Sequence, residues 1–437
     1  MKAVTAVLVV LAAAGASAQG DTPLSNLAGT YCASCHDDRL RSPSGMLLER
    51  FDAARAGERP ELWARAYRQL QAGAMPPAGA ARPDRAAVDA AMAAIERELA
   101  GAVPPRAVVP GEAVATRLAS MLWNGTPDAE LQAEVRRTGL RDEASVARQV
   151  RRMLADDRAQ GFVSRFFVPW LQLDTLANAD PDAKFFPDYD VALRDAFAKE
   201  TELFLLSQLR DDRDPIELWS AGYTFLDERL ATHYGVAGVT GSQFRRVTVA
   251  PERAGLLGHG SVLMITSRHQ HGVDAGYTTP ATRAKWVRLH FLGAPLPNGF
   301  PGAQPVKPEL PIAPQTRTLA AEPCGNCHRN FFPIGYALEN FDPIGRWRTH
   351  DQLGPVDVSG AFVDGTPTNG VVELRQALLQ RPEAFRTTIV EALLAYAGAG
   401  SVTGPVGTPE TLVRARRILR ATAAPRWSTL MAAIVRQ

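Results

Sequence analysis

The chain contains four cysteines, and all four fall in two copies of one short motif. Cys32-Ala33-Ser34-Cys35-His36 lies near the start of the 437 residues, and Cys324-Gly325-Asn326-Cys327-His328 lies towards the end. C-x-x-C-H is the attachment pattern of c-type haem. Two thiols three positions apart on a helical turn reach the two vinyl groups of one porphyrin, and the imidazole that follows becomes the proximal iron ligand. The pattern therefore predicts two covalent haems. Cys32 and Cys35 would hold the first, with His36 on its iron. Cys324 and Cys327 would hold the second, with His328 on its iron. Other uses of paired cysteines fit less well. A thioredoxin-like redox pair needs a βαβ setting, which neither pair has. A zinc shared by both pairs would need them close together, as in zinc ribbons, whereas almost the whole chain lies between them. A disulfide within each pair would close a very small ring. Each alternative also leaves the two histidines as accidents.

The first residues read as an export signal. Lys2 gives a positive start, Ala6 to Ala14 an apolar run, and Ala16-Ser17-Ala18 an A-x-A cleavage site. Residues 1–18 are thus expected to be a signal peptide, cleaved after about Ala18, and the mature chain to be periplasmic. The apolar run falls short of the ~20 residues that span a bilayer, and no later stretch is long and apolar enough, so no membrane span is expected in the mature chain. Basic and acidic residues number 48 and 46, for a formal charge of +2. That balance does not point to nucleic acid or an anionic membrane as partner.

The length suggests two to four domains. Residues 20–103 read as an N-terminal cytochrome c domain. In Gly73-Ala74-Met75-Pro76-Pro77, a thioether sits in a loop stiffened by two prolines, which makes Met75 the expected distal ligand of the first haem; Met46 is the reserve. A closing helix starts at Pro83 and Asp84 and carries Val88, Met92, Ile95 and Leu99 on one face. Residues 108–236 read as a central helical domain, with helices marked by Val114, Leu118, Met121 and Leu122, by Val146, Val150, Met153 and Leu154, and by Leu193, Phe197, Phe204 and Leu205. Phe162, Phe166, Phe167 and Trp170 read as core. Glu200 and Glu202 read as a solvated or capping face. Residues 245–294 form a connecting, His-bearing helical segment in which His259, His269, His271 and His290 could supply a distal ligand or an acid–base group. Residues 295–314 are a Pro-rich linker, and 315–437 a C-terminal helical haem-binding domain. The fold class is mainly α.

Beyond His328 runs Phe332-Pro333-Ile334-Gly335-Tyr336-Ala337-Leu338-Glu339-Asn340-Phe341-Asp342, then Gly345-Arg346-Trp347-Arg348. Here the chain resembles the multidomain c-type cytochromes first noticed in planctomycetes. Arg117-Leu118 through Trp123 and Pro127-Asp128-Ala129-Glu130-Leu131 are similar to that family's R-L-x-x-x-L-W-x-x-x-P-D-x-E-L run. Tyr223-Thr224-Phe225-Leu226 and Arg229-Leu230 through His233-Tyr234-Gly235 are similar to its Y-T-F-L-N-E-R-L-A-x-H-Y-G. Arg253-Ala254-Gly255-Leu256-Leu257 and Thr279-Pro280 through Arg283 are similar to the domain that follows. The chain departs from the family in having Thr279 before Pro280, in Ala284 after Arg283, and in a longer His269–Tyr277 segment. The resemblance implies haem binding and a mostly helical architecture, and names no substrate.

Arg346 and Arg348 are candidates to pair with haem propionates, since guanidinium forks suit carboxylates. The distal ligand of the second haem is open among His259, Met264, His269, His271, His350 and no ligand at all. The leading expectation is electron transfer between periplasmic redox partner proteins. The alternative is a dihaem oxidoreductase of the peroxidase kind, with an open C-terminal haem that meets a small-molecule oxidant. A structural or redox-sensing role is the third class.

Overall fold

The computed structural model describes residues 22–36, 58–103, 108–267, 277–296, 312–321, 328–329, 331–351, 354–402 and 407–437. The export signal, Met46, His269, His271, Cys324, Cys327 and most of the Pro-rich linker lie outside the described residues. The structure is 61% helix and 6% strand, which makes it mainly α as the periodicity predicts.

The helices begin where local chemistry says they should. α1 (Pro23–Leu27) opens at Thr22, whose hydroxyl accepts from the Ser25 amide, and continues as a π-helical turn over Ala28–Cys32. α2 (Pro60–Ala72) stops at Gly73, which takes the left-handed conformation at φ 71° that a residue with a Cβ resists. α3 (Arg85–Gly101) is capped by Asp84, which accepts from the Ala87 amide at 2.7 Å. In the centre come α4 (Gly111–Trp123), α5 (Ala129–Thr138), α6 (Glu143–Ala155), a helical run over 160–170, and α7 (Val191–Arg210). Asp128, Asp142 and Asp190 cap α5, α6 and α7 in the same way.

A two-stranded antiparallel ribbon follows, β1 (Tyr223–Leu226) on β2 (Arg245–Thr248), with α8 (Glu228–Tyr234) between its strands. Then come α9 (Gly260–Ile265), α10 (Pro280–His290), α11 (Ile312–Ala321) and α12 (Phe332–Tyr336). Two small ribbons, β3 (His350–Asp351) with β4 (Gly354–Pro355) and β5 (Ser359–Ala361) with β6 (Pro367–Asn369), lead into α13 (Gly370–Leu379). The chain finishes with α14 (Pro382–Ala399), α15 (Pro409–Ala421) and α16 (Trp427–Val435).

The largest apolar core joins the central helices to the C-terminal ones. Phe162, Phe166, Phe167, Trp170, Trp219, Phe385 and Trp427 all belong to it, and the aromatic cluster is core as expected. α16 packs on α6, and α14 on α15. A second core holds the N-terminal module: Leu24 and Leu27 of α1, Trp63, Tyr67 and Leu70 of α2, and Ile95 and Leu99 of α3. Leu412 and Val413 of α15 complete it. A helix from the far end of the sequence thus closes the first small module.

Polar contacts fix that docking. Arg68 of α2 grips Glu391 of α14 through two hydrogen bonds, one of 3.1 Å and one of 2.5 Å, with both side chains about 95% buried (4% and 5% exposed). Arg68 also donates to the Gly407 carbonyl at 2.7 Å. Gln71 donates to Thr387 at 3.0 Å, and Arg420 of α15 reaches the buried Glu96 of α3 at 2.6 Å. Gln69 donates to the Pro295 carbonyl and accepts from Arg288 of α10.

Candidate functional site

The first C-x-x-C-H motif occupies the turn that ends α1. The Cys35 and His36 amides both donate to the Cys32 carbonyl, at 3.1 and 3.0 Å, so the two cysteines stand one helical turn apart. Both are free thiols, Cys32 half-buried and Cys35 exposed. Burial pushes the Cys32 thiol up to about 11, with the neighbouring Cys35 adding to the rise. It is a thiol at neutral pH rather than the reactive thiolate of a redox pair.

Met75 lies in the turn that leaves α2. The Ala74 and Met75 amides both donate to the Gln69 carbonyl, at 2.8 and 3.3 Å. Arg82 straps the turn from outside, donating to the carbonyls of Gly73 (2.8 Å) and Pro76. The C-terminal region backs it: a Cβ on Gly73 would come within 2.7 Å of the Arg381 guanidinium, which is itself paired with Asp364. Met75 and Pro76 line a partly open cavity of about 330 Å³ together with Val88 and Met92 and the charged Arg82, Asp89, Arg381 and Glu383. Val88, Met92, Tyr31 and Cys32 all pack on the same core. Two free thiols, an imidazole and a thioether, the residue types that hold a Met/His haem, thus belong to the N-terminal segment, with Met75 and not the C-x-x-C-H motif bordering the cavity.

Of the second motif, His328 is described. It is buried at 7% exposure. Its ring stacks on Phe332 at 4.8 Å and meets Phe331 edge-on at 5.9 Å. Both phenylalanines belong to the main core. No cluster of three or more His, Cys, Asp or Glu side chains that could hold a metal ion occurs among the described residues.

The sequence candidates for a distal ligand on the second haem have different fates. His259 is fully buried with both ring nitrogens in contact with hydroxyls, Nδ1 with Thr201 Oγ1 at 3.0 Å and Nε2 with Thr224 Oγ1 at 3.4 Å. Burial holds it down to about 3, with Arg253 nearby adding to that, so it is neutral at any physiological pH. Met264 is buried among Phe197, Leu230 and Tyr234. His350 is exposed on β3. His269 and His271 lie outside the described residues.

Arg346 and Arg348 both have protein partners. Arg346 pairs with Asp188 at 2.9 Å and faces His233 Nδ1 at 3.4 Å. Arg348 donates to the Glu339 carbonyl (2.9 Å), to its carboxylate (3.2 Å) and to Thr278 (3.2 Å). A propionate at either guanidinium would compete with a carboxylate already there.

Against family models, residues 111–236 match PSD4, described as a protein of unknown function (DUF1592), and residues 253–351 match PSCyt3, described as a protein of unknown function (DUF1588). These domains occur in planctomycete-type cytochrome c proteins. No curated protein and no solved structure matches the chain.

Several residues within the two matched segments hold elements together. In the first segment, Arg117 caps the end of α16 through the Val435 and Gln437 carbonyls (3.1 and 2.8 Å), and the Trp123 indole donates to the Met153 carbonyl at 3.0 Å. Glu200 corrects the sequence reading. It is fully buried rather than solvated, and accepts from Tyr234 (2.6 Å) and Thr224 (2.8 Å). Burial pushes its carboxyl up to about 7. Glu202, by contrast, does sit in a half-solvated pair with Lys199 at 3.0 Å. Arg253 of the second segment lies over the Tyr234 ring at 3.7 Å and donates to the Gly258 and Gly345 carbonyls. A second buried network joins Arg283, fully enclosed, to Glu339 and through it to Arg348 and Thr278.

Proposed function

We propose that this protein is an exported dihaem c-type cytochrome that transfers electrons between periplasmic redox partners. The observation that carries the reading is the N-terminal module, where free Cys32 and Cys35 stand one turn apart, His36 follows directly, and Met75 sits in the Gly- and Pro-marked turn that leaves α2. When bound, haem supplies one-electron redox chemistry. The protein's part is to bond it through four sulfurs, to offer His36 and His328 as proximal ligands and Met75 as a distal one, and to hold it in low-dielectric surroundings. Thioether ligation by Met75 raises the potential of the first site relative to a site without it.

One observation favours a second reading, a dihaem oxidoreductase of the peroxidase kind. His259 and Met264 are committed to core contacts and His350 is exposed, which leaves His269, His271, the buried His290 or an open coordination position for the second iron. An open position would admit a small-molecule oxidant.

The test is made on protein matured with a cytochrome c assembly system. Intact mass should show two added porphyrins, and Cys324→Ala/Cys327→Ala should lose one of them. Met75→Ala should lower the potential of the N-terminal haem; an unchanged potential removes Met75 as ligand. Two low-spin ferric haems support electron transfer, whereas one high-spin haem with peroxide turnover selects the second reading. No added porphyrin overturns both.

A further inference from the structure

A cleft of about 1060 Å³ opens between the end of α5, the segment leading into α4, α15 and the last residues of the chain. Six arginines line it, Arg136, Arg137, Arg141, Arg414, Arg417 and Arg436, against one acidic side chain, Glu112. The whole chain carries a formal charge of only +2, so positive charge is concentrated here far beyond the average. Local structure accounts for part of this. Arg136 and Arg137 occupy the last turn of α5, where a cation suits the helix dipole, and Arg137 and Arg414 pair with Glu134 and Glu410. Arg141, Arg417 and Arg436 come from three other places in the chain and converge on the same space. Arg136, Arg137, Arg141 and Arg417 are exposed, and no carboxylate partner of Arg136, Arg141 or Arg417 occurs among the described residues. A small-molecule pocket is mostly apolar and encloses its ligand. This cleft has a guanidinium rim open to solvent, as a protein docking surface has.

Its position indicates what docks. Arg414 and Arg417 project from α15, whose Leu412 and Val413 enter the core on which Cys32 packs. The basic rim therefore stands one helix away from the first C-x-x-C-H module. Opposite charge at such a place steers a partner and fixes its orientation more than it adds affinity. We propose that this cleft docks the acidic face of an electron-transfer protein, which delivers or removes electrons through the N-terminal haem. The proposal rests on the dihaem reading. In the reducing direction the partner loses one electron and the ferric iron gains it, with no bond made or broken.

The experiment compares three full-length proteins: the wild type, R136E/R141E/R417E, and a control with the same charge change on a distant surface, R229E/R245E/R246E. Poly-L-glutamate binding is read by fluorescence anisotropy at low and high salt, and needs no haem, so it stands whether or not the dihaem reading does. Haem reduction is followed by stopped flow with a reduced acidic flavodoxin and, separately, with ascorbate. The cleft variant should bind poly-L-glutamate on the order of tenfold more weakly and accept electrons from flavodoxin on the order of tenfold more slowly, with ascorbate reduction unchanged. The control should change far less. Equal losses in both variants, or no loss in the cleft variant, overturn the proposal. So does wild-type binding of dextran sulfate without binding of poly-L-glutamate, which would assign the cleft to an anionic polysaccharide.

Discussion

Glu200 shows how much a single position can hide from a sequence. Its neighbours along α7, Phe197 and Phe204, fall on the buried stripe, and Glu200 falls between them. The helical period thus held the clue, but an acidic residue beside Glu202 reads more naturally as surface. The consequence is a pH dependence with a definite sign. The unfolded carboxyl ionises near its ordinary value of 4.5, whereas burial delays ionisation in the fold to about 7. Between those values the unfolded state binds fewer protons, so this group's contribution falls as pH rises, by about 3 kcal/mol in total. The buried imidazoles of His259 and His290, both held down to about 3 by burial, push the other way on acidification. They are common to both proteins when wild type is compared with Glu200→Gln. Urea unfolding at pH 4.5 and pH 7.5 should therefore show the stability of wild type falling relative to the variant as pH rises; parallel curves would refute it. His290 offers a second test. It is enclosed by Trp170 and Trp286, with no hydrogen-bond partner for either ring nitrogen among the described residues. His290→Phe should stabilise the fold by ~1–2 kcal/mol, since an unsatisfied buried polar group is costly. A loss of stability, or an altered visible spectrum of haem-loaded protein, would mean that the imidazole holds something.

At the scale of elements, the legible parts were those with local signals. Asp84, Asp128, Asp142 and Asp190 each cap a helix, and the apolar stripes of α4, α6 and α7 are buried, whereas that of α3 is buried at Ile95 and Leu99 and half-buried at Val88 and Met92. The turn that carries Met75 was legible too, because Gly73 and the two prolines mark it. What had no local signal was the partner of each element. Nothing in the composition of α2 says that Arg68 meets Glu391 more than three hundred residues later. A buried ion pair is costly to break from one side, because the survivor keeps its charge without water. Arg68→Met should destabilise the protein by ~3–5 kcal/mol, whereas Arg68→Met/Glu391→Met should recover most of that loss. Equal destabilisation in both, measured by urea unfolding, would show that the pair's packing rather than its charge holds α2 on α14.

For the molecule as a whole, the sequence reading separates a first haem module from a last one. The described structure adds that the first module is finished by the last helices. Removing residues 407–437 takes away Leu412 and Val413 and exposes the apolar faces of α2 and α3. Limited proteolysis of such a truncated chain should cut within 60–101 at least tenfold faster than in the full chain, as expected of a segment stripped of buried contacts. Resistance equal to wild type would mean that the module stands alone. No described helix is long and apolar enough to cross a membrane. A polypeptide is born from its amino end, and contacts between distant segments must wait for both. The ribosome therefore releases Cys32 and Cys35 hundreds of residues before the helix whose Leu412 and Val413 join the core on which Cys32 packs.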